Sequence, residues 1–229
     1  VDFLEITQRV KRESGRSSSG ASPATIVGAS QPDLDIFNAV NDAWRDVQLM
    51  PRKWRWMWLQ ALATVGVDNT TYTAASLGAP TWARWKTESV DYRPSMFDPA
   101  NAQTEWDLRF VDYDTFARAF LKGSHAAGAS QYWSIANDGS FLIGPKPNLA
   151  YTLRADYYVK PQELTADDHI PAMPDQFHIL LVWKALESVA ISDNAPEKLA
   201  KAQNMAGAIL DALILDQGEQ LRFTAYPLR

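Results

Sequence analysis

The sequence predicts an α+β protein: a bundle of two N-terminal and two C-terminal helices, a β-rich insertion between them, and an extended C-terminal tail. Three observations predict it. Apolar residues recur at helical spacing near both ends of the 229-residue chain. The apolar period drops to two in the middle, where Trp54, Trp56 and Trp58 alternate with Arg55 and Met57. Gly, Pro, Asn and Asp clusters punctuate that middle region, as turns between strands require. The helical parts are expected at 1–53 and 170–218, the insertion with one short helix at 54–169, and the tail at 219–229.

The first helix is expected over 2–14. Asp2 and Glu5 have capping-box spacing, and Phe3, Ile6 and Val10 share a face that Gly15 terminates. Residues 16–32, "RSSSGASPATIVGASQP", form a Ser/Gly/Ala-rich connection, long for a loop inside a domain. The second helix is expected over 33–50. It carries Ile36, Phe37, Val40, Trp44 and Val47 and ends before Pro51. The alternating tryptophans then read as a strand with three indoles on one face. "DNTTY" and "SLGAP" are turns, and residues 54–110 read as β-rich.

A short helix follows at 112–122, opened by Asp112. "QYWSIANDGSFLIGPKP" reads as a hairpin turning at Asn137, Asp138 and Gly139. Tyr151, Leu153, Ala155 and Tyr157 share one face of a further strand. The third helix, near 174–192, is apolar around most of its circumference and must be buried on more than one side. The fourth, from Pro196 to about 218, presents Leu199, Ala202, Ala206, Ile209 and Leu213.

Composition narrows the function. The formal net charge is −5, against the basic footprint of a nonspecific nucleic-acid binder. Without cysteine there is no disulfide or thiolate metal site. No apolar run is long enough to span a membrane, and the opening residues lack a signal-peptide core. His125, His169 and His178 have no metal-ligand spacing, and His178 reads as a structural histidine opening an apolar helix. "DDH" at 167–169 reads as a solvated acidic loop. No phosphate-binding glycine loop and no nucleophile elbow occur. Neither catalysis nor a cofactor is expected.

The densest feature is "WRDVQLMPRKWRWMW", with four tryptophans in residues 44–58. An exposed Trp54/Trp56/Trp58 face would make a sugar platform, hence a carbohydrate-binding module. Beside Arg52, Lys53 and Arg55 it would stack bases. The favoured reading makes Trp44, Trp54, Trp56 and Trp58 a packing junction where bundle meets insertion, because tryptophan carries a large apolar area.

Three stretches also carry a family resemblance. They are "FLEITQRVKRESG" with its Ser/Gly-rich loop, "IFNAVNDAWRDVQ" running into "WRWMW", and "GSFLIGPKPNLAYTLRADYYVKPQEL" leading into "IPAMPDQFHILLVWKALESVA". In this order the chain resembles the head-to-tail adaptor (portal-to-tail connector) proteins of short-tailed bacteriophages. The resemblance implies a structural virion protein at the head–tail junction, assembled in the host cytoplasm. It would form a homo-oligomeric ring, typically a dodecamer, below the portal protein. The ring would extend the DNA channel and dock tail nozzle or fibre proteins, with DNA passing through the lumen without specific binding. The third helix's second apolar side would then be covered by a neighbouring subunit. The C-terminal tail would contact the portal through Leu221, Phe223, Tyr226 and Leu228 as anchors and Arg222 and Arg229 as partners for acidic groups.

Overall fold

The computed structural model describes residues 1–16, 23–26, 28–50, 54–87, 93–123 and 125–217. It contains both helices and sheets, so the fold is α+β. The chain divides into two compact units, Val1–Met57 with Pro161–Arg229, and Trp58–Lys160. The division between the units falls at 57/58 and 160/161.

In the helical unit, α1 spans Phe3–Glu13. The capping box is present: Glu5 N donates to Asp2 Oδ1 at 2.8 Å, and Asp2 N donates to Glu5 Oε2 at 3.2 Å. Phe3, Ile6 and Val10 are buried. Helix α2 spans Gln31–Leu49 and starts two residues before its expected position. Pro32 sits in its first turn, where the missing N–H costs nothing. After a short 3-10 turn at Asp175–Phe177, α4 spans Ile179–Ser192, and α5 spans Pro196–Gln217.

Helix α4 packs against α1, α2 and α5. This corrects the expectation that a neighbouring subunit covers its second apolar side. Leu180, Leu181, Val182, Trp183, Ala185, Leu186, Val189 and Ala190 are buried within one chain, because three helices surround this one. Of the α5 stripe, Ala202, Ala206 and Leu213 are buried, while Leu199 and Ile209 are half-buried.

Among its described residues the other unit holds nine strands: β1 (Trp58–Val65), β2 (Thr71–Tyr72), β3 (Trp82–Trp85), β4 (Ser95–Asp98), β5 (Asn101–Asp107), β6 (Arg109–Phe110), β7 (Tyr132–Ile135), β8 (Phe141–Gly144) and β9 (Tyr151–Val159). One sheet runs β1-β9-β4-β5, with β3 also on β9; the second runs β2-β8-β7-β6. The central strand β9 meets β1 antiparallel from Trp58↔Tyr158 to Val65↔Tyr151. Tyr151, Leu153, Ala155 and Tyr157 are buried as the alternation required. They join Val65, Met96, Trp133, Phe141 and Ile143 in one apolar cluster drawn from both sheets.

The hairpin turn behaves as its residues dictate. Gly139 has φ +82°, and a Cβ there would lie 2.2 Å from the Trp82 ring, so only glycine fits. The helix expected at 112–122 is α3 (Tyr113–Phe116), with Asp112 capping Thr115 N, followed by a π-turn at Ala117–Leu121.

Candidate interface residues

The tryptophans do not form a strand face. Residues Arg55–Met57 make a 3-10 turn, closed by Met57 N donating to Trp54 O at 3.1 Å, and β1 begins only at Trp58. Trp54 is 1% exposed, and its indole N–H donates to Val47 O at 2.7 Å. Trp56 is half-buried and stacks on Trp54 at 4.7 Å and on Trp44 at 6.5 Å between ring centroids. Trp44 is fully buried.

This overturns the period-two reading. An alternating run of indoles fits a turn equally well when each ring has an apolar neighbour to stack on, and α2 supplies Trp44. The carbohydrate-platform alternative fails with it, since Trp54 presents no face to solvent. Trp58 is 36% exposed and has Lys86 Nζ 3.1 Å from its ring centroid. So Trp44, Trp54 and Trp56 pack with one another in the helical unit, and Trp58 opens the first strand of the sheet unit. Arg52 and Lys53 lie outside the described residues.

Leu221, Arg222, Phe223, Tyr226, Leu228 and Arg229 also lie outside the described residues. Within them, α5 offers exposed apolar surface, with Leu215 84% and Met205 43% exposed beside exposed Ala200, Gly207, Ala208 and Ala212.

Two features escaped the sequence reading. Lys11 Nζ lies 2.9 Å from Asp33 Oδ1, with side chains only 6% and 12% exposed. Burial pushes the Asp33 carboxyl up, but hydrogen bonds from Lys11 and Ser30 and the Lys11 charge outweigh it and hold it below its ordinary value. The second is a pair of amide clamps on residues 162–164. Asn41 Nδ2 donates to Leu164 O at 2.9 Å, and Leu164 N donates to Asn41 Oδ1 at 3.0 Å. Gln48 does the same for Gln162, at 3.0 and 2.7 Å. The available signal was their spacing of seven, each one residue past a buried valine of α2.

His178 is buried, as a structural histidine should be, and His169 lies in the turn before α4. Among the described residues, no group of three or more His, Cys, Asp or Glu could hold a metal ion. No helix there is long and apolar enough to cross a membrane. A cleft of about 360 Å³ is lined by Asn41, Asp42, Arg45, Pro161, Gln162, Glu163 and Thr165. Of these, Asn41 is already engaged with the Leu164 backbone.

A scan against protein-family models matches residues 1–228 to the family described as SU10 adaptor protein. The chain belongs to this family. A search of the curated proteins finds no match. Membership makes the chain a structural adaptor of a bacteriophage, in agreement with the resemblance carried by its helix–loop–tryptophan order.

Proposed function

We propose that this adaptor forms a ring below the portal protein at the head–tail junction of the virion. The ring extends the DNA channel and docks tail nozzle or fibre proteins. The observation that carries the reading is the family match over residues 1–228. A dodecamer, one adaptor per portal subunit, is the stoichiometry expected. The helices form a bundle that builds the ring, and the exposed apolar and small residues of α5 suit a subunit contact. The sheet unit faces tail components. Residues 219–229 reach along the portal, with Leu221, Phe223, Tyr226 and Leu228 as apolar anchors and Arg222 and Arg229 against acidic groups. A formal charge of −5 suits a lumen through which DNA slides without sticking. Trp44, Trp54 and Trp56 brace the ring-building part just before the chain passes into the tail-facing part at Trp58.

The test is native mass measurement and negative-stain imaging of the chain alone and mixed with portal from the same virus. Added density below the portal, at one adaptor per portal subunit, supports the reading. Two separate species at every salt concentration would reject portal docking by the free proteins.

A further inference from the structure

We propose that residues 1–4 are held by a proton-dependent latch of two histidines, His178 as a double donor and His169 as an acceptor. His178 is 1% exposed, with Nδ1 3.1 Å from Val1 O and Nε2 3.0 Å from Met173 O. Both partners are carbonyl oxygens, which only accept. A neutral imidazole has one N–H and satisfies one of them; the imidazolium satisfies both. The described fold therefore fits a charged ring.

His169 has the opposite requirement. Its Nδ1 accepts from Thr165 N at 3.0 Å and Ala166 N at 3.4 Å, so that nitrogen must carry no proton. The turn it shapes supplies the acceptors for the start of α1: Phe3 N donates to His169 O at 2.8 Å and Leu4 N to Asp167 O at 3.2 Å. Protonating His169 sets an N–H against two N–H donors and loosens that turn. Deprotonating His178 leaves one carbonyl facing a lone pair, and the Val1 contact gives way. Docking of residues 1–4 is best with His178 charged and His169 neutral.

Among the described residues, Asp175 is the one carboxylate within 4 Å of the His178 ring, its Oδ1 3.6 Å from Nε2 and its side chain 86% exposed. The other ionisable side chains on these segments are Asp2, Glu5, Asp167 and Asp168. Asp2 and Glu5 are engaged in the capping box, and Asp167 accepts from Ile26 N at 2.7 Å.

The test is amide exchange of Phe3 and Leu4, expressed as protection factors between about pH 5 and 8, where histidine charge changes are centred. Histidine ring nitrogen spectra are recorded on the same sample. Protection should peak at an intermediate pH and fall about tenfold on either side, the loss expected for one hydrogen bond. His169→Asn places an acceptor oxygen where Nδ1 stands and should abolish the acid fall. His178→Gln should abolish the alkaline fall. At the protection maximum, the ring spectra should show two N–H groups on His178 and one on His169. A flat or absent protection profile, or a single N–H on His178 throughout the range, would overturn the latch. The ring spectra of the unmutated chain decide the matter if His178→Gln does not fold.

Discussion

Replacing Lys11 by methionine should cost the helical unit about 3–5 kcal/mol, the usual penalty for removing one partner of a buried ion pair. The structure sets the scale. At 2.9 Å, and with an effective dielectric of about 20, the attraction between Lys11 and Asp33 is roughly 6 kcal/mol before desolvation. Methionine keeps most of the aliphatic stem, so the loss is chiefly electrostatic. Urea unfolding at pH 7, followed by helical circular dichroism, should show the midpoint falling by roughly 1–2 M, given an m-value near 3 kcal/mol/M. Replacing both partners, Lys11→Met with Asp33→Leu, should restore stability to within about 1 kcal/mol of the parent, because the pair's desolvation cost goes with it.

The pH dependence carries a second signature. Asp33 is held below its unfolded value, so its contribution is present above that value, about 3.9, and is lost as pH falls through the folded value. Without Lys11, burial dominates and raises the carboxyl. The variant's Asp33 then takes up a proton at a higher pH than the parent's. The stability gap between variant and parent should therefore shrink on acidification. A gap below about 1 kcal/mol at pH 7, or one unchanged down to pH 4, would refute the argument that this pair ties α1 to α2.

Further substitutions separate the tryptophans by role. Trp54→Ala should destabilise by about 3–5 kcal/mol in urea unfolding, through the lost stacking and the Val47 hydrogen bond. Trp58→Ala, at a partly exposed position, should cost about 1 kcal/mol or less by the same measurement. Asn41→Ala removes both partners of the Leu164 backbone and should cost about 1–3 kcal/mol, with faster amide exchange at Leu164. Deleting residues 219–229 should abolish co-sedimentation with portal while leaving the urea midpoint of the helical unit unchanged.

Much of this fold was legible because its signals are local. The Asp2/Glu5 box, the glycine at 139 and the alternation of β9 each depend on residues within a few positions. The tryptophan strand was misread for the complementary reason. Trp54, Arg55 and Trp56 satisfy a period of two, but the ring that decides their fate, Trp44, sits ten residues upstream on a helix. The α4 inference failed similarly: an apolar circumference shows that something covers the helix, not whether the cover belongs to the same chain. Lys11–Asp33 and the Asn41 and Gln48 clamps join segments far apart in sequence, and single-sequence periodicity does not contain such pairings. The tryptophans stood out by their density in residues 44–58, but the stacking of Trp56 on Trp54 and Trp44 was not readable from that spacing.

The Trp58↔Tyr158 register has an architectural consequence. The first and last long strands of the sheet unit are hydrogen-bonded neighbours, so about 100 residues leave and rejoin the helical unit at nearly the same point. Once β1 and β9 pair, the two halves of the helical unit are joined across a short gap, and the loop-closure entropy of a long connection has already been met. A module attached this way is exchangeable. A different sheet, or a tight turn, could replace residues 58–160 without re-threading the helices, leaving a lineage free to vary what it displays while keeping what it builds.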